Sequence, residues 1–352
     1  MAVIEQSKPR PASSLVDVYY TICPVLNAAN VAVELGWLDE EFRRVGARAI
    51  YLRSLPENAG YIPHFTHSLP NLFRDGGAIP TIQARADLTS TKLIGLTWTQ
   101  TGGEVVVRAD TDIHSVKDLK GRRIGLFKSL NSAKIDFQRA TAERAVELAL
   151  KLSGLAVQDV EIVDITDTDD QPHDPAGKPA ELWVQRRDAY HGPEVAALAT
   201  AKVDAIFSSG GRSLTLVESG QYKVIEDLSR YPDWTLQVAN GPYTAAVNTG
   251  FAEAHPEIVV AYLRAAIRAG RWINRHPAAA AEIFKRVTFY STVPQIHRAI
   301  EGRDLEPNLS ARNLAAITIQ KDFLRSHGYV RNDFNVNDWA DDRYLIEALR
   351  TL

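Results

Sequence analysis

The feature that most constrains this chain is a hydrophobic period that keeps switching. From Val16 to about residue 250, short β-branched or aromatic runs alternate with helix-spaced segments. From His255 onward nearly everything is helix-spaced. Such alternation marks βαβ units, in which parallel strands are covered by helices. VDVYYTI (16–22), GARAIYLR (46–53), KLIGLTW (92–98), EVVVR (104–108), RIGLF (123–127), VEIVDI (160–165) and the run opening GPYTAAV read as strands. Helical spacing is predicted from Pro24 to about Gly36, with the proline in the first turn. A short helix at Ser115–Leu119 and a long one at Ser132–Ser153 follow. Two more helices are each opened by His-Pro, at 255 and 276, and another ends at Gly328. Between residues 54 and 80 no period holds. That stretch is rich in Gly, Pro and His and reads as a long, mobile loop of functional type.

At 352 residues the chain exceeds one ordinary core, so two domains are expected. Its 45% hydrophobic content suffices for large cores. The net charge of −3, with no basic run interleaved with aromatics, argues against nucleic acid as a partner. No stretch of 18 apolar residues occurs, so no membrane-spanning helix is expected. The first residues, MAVIEQSKPRPASSL, hold no apolar run of the kind a secretory leader needs. A cytoplasmic location is expected on that basis, or a periplasmic one if a leader has been trimmed.

Cys23 is the one cysteine, which excludes an internal disulfide and a thiolate-cluster metal site. It ends the first predicted strand. In open α/β sheets ligands bind beyond the carboxyl ends of strands, and a helix N-terminus just after Cys23 would favour a thiolate or an anion. The alternative is a small apolar residue packed in the core. In the irregular stretch, Arg74 offers a planar fork of donors to an oxyanion, Gly76 and Gly77 an anion-binding pair of amides, and His64 a base beside the thiol. The competing reading is a surface loop with solvated charges. Ser129, Asn131 and Ser132 follow a strand, either capping the next helix or reaching an anion. Arg212, in SSGGRS, faces either a ligand or solvent. Phe65, Trp183 and Phe207 offer apolar walls or core packing.

DLKGRRIGLFKS, LSGLAVQDVEIVDI, ATAKVDAIFSSGGRS and FAEAHPEIVVAYLRAAIRAGRWINRHPAAAAEIF resemble, in order, landmarks of the sulfonate, nitrate and taurine substrate-binding family. The resemblance implies a two-domain periplasmic-binding-protein-like fold of type II. Each domain would be a mixed, mostly parallel sheet flanked by helices, with a ligand cleft between them. Domain I would comprise residues 1–107 plus 243–352, and domain II residues 108–242. YTICPVLNA and PHFTHSLPNLFRDGGAIP, with the C-terminal VNDWADDRYLIEAL, are similar to the hydroxybiphenyl sulfinate desulfinase family built on the same fold. That resemblance implies that Cys23 is the key thiol, that His64, opening a His-Phe-Thr run, is catalytic, and that Arg74 with Gly77 binds sulfinate. Asp75 stands where that family has an aromatic residue, His67 replaces a tyrosine, and the region after Lys128 looks shorter.

The function so implied is a cofactor-free hydrolase that cleaves the C–S bond of an aryl or alkyl sulfinate and releases sulfite. Cys23, His64 and Arg74 would be catalytic, and Phe65, Gly76, Gly77, Ser129, Asn131 and Arg212 would bind substrate. Cys23 either attacks sulfur as thiolate or protonates the departing carbon. No metal and no cofactor are expected, the partner is a small sulfinate-like anion, and the chain is expected to be a monomer. The alternative is a non-catalytic receptor for a sulfonate, nitrate or taurine, feeding an ABC importer.

Overall fold

The computed structural model describes residues 15–99, 102–170, 172–186 and 192–352. Its strands in chain order are β1 (Val16–Ile22), β2 (Ala47–Tyr51), β3 (Leu72–Gly76), β4 (Thr91–Thr97), β5 (Glu104–Arg108), β6 (Arg123–Ser129), β7 (Glu161–Asp167), β8 (Ala205–Ser208), β9 (Tyr222–Asp227) and β10 (Tyr243–Asn248). They form two five-stranded sheets, ordered β2-β1-β3-β10-β4 and β7-β6-β8-β5-β9. In the first, β2, β1 and β3 are parallel while β10 runs against both neighbours. In the second, β7, β6 and β8 are parallel while β5 runs against both neighbours. Each antiparallel strand is therefore the one with which the chain enters from the other sheet. This is the mixed, mostly parallel, helix-flanked α/β architecture expected from the alternating periods.

The helix Pro256–Arg275 covers one face of the first sheet. It buries Ile258, Val259, Tyr262, Leu263, Ala266 and Ile267 at helical spacing, each large apolar side chain contributing about 1.5–3 kcal/mol. Phe73 of β3 stacks on Tyr262 with ring centroids 4.6 Å apart.

Three expectations need correction. The stretch 54–80 is not a loop: it folds into two 3-10 turns, a helix Tyr61–Thr66, the central strand β3 and a helix Ala78–Gln83. Pro63 and Pro80 lie in the first turns of those helices, where a missing N–H costs nothing. β3 is buried along its whole length, and its Arg-Asp pair disguised it, because charges at a strand centre break the apolar pattern. Second, the helix after Cys23 begins only at Ala28, capped by Asn27, and ends before Gly36, where a left-handed residue starts a separate helix Trp37–Arg44. Third, the helix expected from Ser132 begins at Phe137, because the Asp136 side chain accepts from Arg139 N and sets the cap there.

Candidate active site

The register of β1 against β3 builds the site. Thr21 pairs with Arg74 and Ile22 with Asp75. Since successive side chains of a strand alternate between faces, Thr21 and Arg74 share one face, while Asp75 points to the other. Cys23 follows β1, its N–H donating to Asp75 O at 2.9 Å. The turn after it is fixed from the next helix: the Asn30 amide donates to Cys23 O at 3.0 Å and to Val25 O at 2.9 Å. With the next helix starting only at Ala28, its N-terminus does not abut the thiol as expected, and the charge placed beside the sulfur is the Arg74 guanidinium.

His64 lies on the helix Tyr61–Thr66, over the ends of β1 and β3. Its Nε2 is 3.6 Å from Cys23 Sγ and its Nδ1 is 2.6 Å from Thr21 Oγ1. Thiol, imidazole and hydroxyl thus form a line. Thr21 was not anticipated, although its place two residues before Cys23 on a strand is the signal that would have found it. Burial drives the His64 proton affinity well below the ordinary imidazole value, and the charges of Arg74, Arg53 and Lys134 push the same way. The ring is therefore neutral at pH 7. His67 plays no part at the thiol. It ends the same helix in a left-handed conformation, bonds Leu72 O at 2.9 Å through Nε2 and is pushed down to about 4 by burial.

Arg74 is 1% exposed. Its Nε donates to His64 O at 2.8 Å, and its Nη1 to Gly77 O at 2.9 Å and Thr81 Oγ1 at 2.5 Å. Its Nη2 faces Cys23 Sγ at 3.8 Å. Three of the five donors are thus committed to the protein. The expected two-oxygen fork is not available, and Nη2 alone points into the site. Gly76 has φ +150°, and a Cβ there would lie 2.3 Å from Cys23 Sγ. Glycine is required so that the two strand ends can approach. Asn240, on the chain returning from the second sheet, accepts from Ala78 N and Ile79 N and packs against Gly77.

The second lobe closes over this surface through residues other than those expected. Lys134 is buried and hydrogen-bonded to Asp169, and its ammonium stands 4.9 Å from the Phe65 ring centroid. Phe65 also stacks on Phe137 at 5.9 Å and meets the His64 ring edge to face at 4.8 Å. Tyr61 donates to Asp169 O at 2.7 Å, and Arg53 O accepts from Ala176 N at 3.1 Å. Ser129 and Asn131 instead tie down the loop before the Phe137–Leu152 helix: Ser129 N donates to Asp136 and Asn131 N to Ser129 Oγ. Arg212 is half-buried and bonded within its own lobe. Its donors are held by Ser208 Oγ, Phe207 O and the Glu194 carboxylate, because its helix starts directly after β8. Trp183 and Phe207 are core residues. Among the described residues no group of three or more His, Cys, Asp or Glu side chains is placed to hold a metal, and no helix is long and apolar enough to cross a membrane.

A family model of NMT1/THI5-like proteins matches residues 81–178. The 2'-hydroxybiphenyl-2-sulfinate desulfinases of Rhodococcus erythropolis and Rhodococcus qingshengii are each 28% identical to this chain over 361 residues, covering 94% of it and 93% of the relative. Among solved structures, a cysteine-to-serine mutant of DSZB in complex with biphenyl-2-sulfinic acid superposes with a TM-score of 0.77 at 24% identity, covering 96% of this chain and 99% of that one. The alkanesulfonate-binding protein SsuA from Xanthomonas axonopodis pv. citri, bound to MOPS, superposes with a TM-score of 0.64 at 17% identity, covering 94% and 100%. Along nearly its whole length this chain is therefore similar to the 2'-hydroxybiphenyl-2-sulfinate desulfinases, and it shares the fold of the sulfonate-binding proteins.

Proposed function

We propose that the protein is a cofactor-independent desulfinase that cleaves the C–S bond of an aryl or alkyl sulfinate and releases sulfite, with Cys23, His64 and Arg74 as catalytic residues. The observation that carries this reading is the Cys23–His64–Thr21 line with Arg74 Nη2 beside the sulfur. An anion receptor has no use for a thiol held on a neutral imidazole, so the enzyme is favoured over the importer receptor. Phe65, whose ring meets that of His64, and Gly76 and Gly77, next to Cys23 and Arg74, are assigned to the substrate site with them. A lone thiol suits a reducing cytoplasm.

Of the two roles open to Cys23, the electrostatics favour proton donation. Transfer of the thiol proton to His64 would create a buried imidazolium among Arg74, Arg53 and Lys134, which oppose it. Direct transfer to the substrate carbon avoids this. The C–S bonding pair then forms the new C–H bond, SO2 leaves, and the thiolate is stabilised by Arg74 Nη2. Water hydrates SO2 to bisulfite, and the proton so released restores the thiol. The sum is sulfinate plus water giving the hydrocarbon plus bisulfite. His64 orients the S–H group, and Thr21 fixes the ring.

The test is sulfite release from a panel of aryl and alkyl sulfinates. Sulfite from the native protein and none from Cys23→Ser supports the reading. Tight calorimetric binding of sulfonates with no sulfite from any sulfinate would establish the receptor instead.

A further inference from the structure

Behind the catalytic face of β3 lies an ionisable group that the proposed reaction does not use. Asp75 is 7% exposed and points away from the site. Its Oδ1 accepts from Asn27 Nδ2 at 2.6 Å, and its Oδ2 from the Tyr262 hydroxyl at 3.3 Å. Its main-chain oxygen holds Cys23 N. Asn27 is the cap of the helix that carries Asn30, its Oδ1 accepting from Asn30 N at 3.1 Å, and Asn30 in turn holds Cys23 O and Val25 O. The Cys23 turn is thus clamped at its start by the Asp75 backbone and at its end by a chain that begins at the Asp75 carboxyl.

Resting on the reading of Cys23 as the reactive thiol, we infer that Asp75 is a positioning residue for it, acting on the turn through Asn27 and on the charge at the sulfur through Arg74. The groups facing the carboxyl are few. Arg74 neighbours it on β3, Asn27 caps the helix after Cys23, and Tyr262, with Tyr20 of β1 near it, comes from the covering helix Pro256–Arg275. Arg74 is the one cation among them, and its field is shared between the Asp75 carboxylate and the Cys23 sulfur. Burial raises the carboxyl to about 7, against the opposing pull of Tyr262, Arg74 and Asn27. Both protonation states fit the cavity. The carboxylate accepts from both neighbours. The neutral acid keeps the Asn27 bond at one oxygen and donates from the other to the Tyr262 oxygen. When the carboxylate forms, it competes with sulfur for Arg74, and the thiol becomes less reactive than its surroundings otherwise allow.

The experiment is the rate of Cys23 alkylation by iodoacetamide between pH 5.5 and 9 on the full chain, with no substrate present. Its outcome is therefore independent of whether any sulfinate is cleaved. The native protein is expected to show an inflection near pH 7 in addition to the thiol's own. Asp75→Asn mimics the neutral acid and keeps both hydrogen bonds; it should lose that inflection and react about three- to tenfold faster at pH 8, the effect of removing one nearby like charge. Tyr262→Phe removes the bond that favours the carboxylate, so its inflection should move to higher pH. An Asp75→Asn profile that superposes on the native one overturns the inference. Should that variant fail to fold, an unmoved inflection in Tyr262→Phe overturns it equally.

Discussion

Placing a methyl group at Gly76 tests the construction of the site at its tightest point. In Gly76→Ala the new Cβ would lie 2.3 Å from Cys23 Sγ and 2.6 Å from Cys23 Cβ, against about 3.5–4.0 Å for unstrained contact. Rotating the thiol relieves the first overlap but not the second. The main chain of Cys23 cannot yield without breaking its bonds to Asp75 O and Asn30 Nδ2. Overpacking of this kind costs about 1–3 kcal/mol, and the positive φ of 150° adds about 1–3 kcal/mol for a residue with a side chain. The total of about 2–6 kcal/mol, spread over a chain of 352 residues, predicts a drop in Tm of about 3–8 °C. Displacing sulfur from a contact of 3.6 Å to His64 Nε2 should also slow alkylation of Cys23 at least about tenfold, as misplacement of a reacting group by an ångström does. Calorimetry and the iodoacetamide rate read the two effects separately. A variant with native Tm and native alkylation rate would show that the β1 and β3 ends do not meet as described, and the site would fall with them.

Thr21→Val keeps the volume but leaves the buried His64 Nδ1 without its partner; it should cost about 1–3 kcal/mol and depress the turnover of any sulfinate cleaved, whereas unchanged turnover would remove Thr21 from the site. His64 and His67 have depressed proton affinities, so their contribution to stability is present above pH 6.5 and lost as pH falls; Asp75, raised to about 7, has the opposite sign, its contribution being lost as pH rises through 7. From about pH 6 to 4.5 the raised Asp75 therefore opposes the loss of stability caused by the histidines, and Asp75→Asn should make that loss steeper by about 1.4 kcal/mol per pH unit, the effect of one proton; urea titrations at several pH values giving equal slopes for the two proteins would refute this. Lys134→Met should cost about 3–5 kcal/mol by stranding the buried Asp169, and adding Asp169→Asn, which tolerates the local φ of 52°, should restore most of it; a Lys134→Met variant as stable as the native chain in urea would mean that the two residues are not a buried pair.

The sequence by itself determined what depends on local period and on chemically unusual residues. The strands β1, β4, β5, β6 and β7 were legible because each is a short β-branched run bounded by turns, and the helices from 256 onward because their apolar stripe repeats at helical spacing. Cys23, His64 and Arg74 stood out by type and order, and the structure brings the three within 4 Å contacts of one another. Local signals misled where charges are satisfied at long range. β3 looked like a loop because Arg74 and Asp75 interrupt it, yet Arg74 is met by carbonyls of His64 and Gly77 and Asp75 by Asn27 and Tyr262, the last of them 187 residues away. The same holds for Thr21, which gains its role only when β1 and β3 pair in one register, and for Lys134 and Asp169, which matter only because the second lobe closes onto Phe65 and Tyr61. Arg212, equally conspicuous in the sequence, is claimed by Glu194 and the end of its own strand. A side chain's period and type are written locally, but which buried charge answers which is decided by strand register and lobe contact, and those exist only once distant segments have packed.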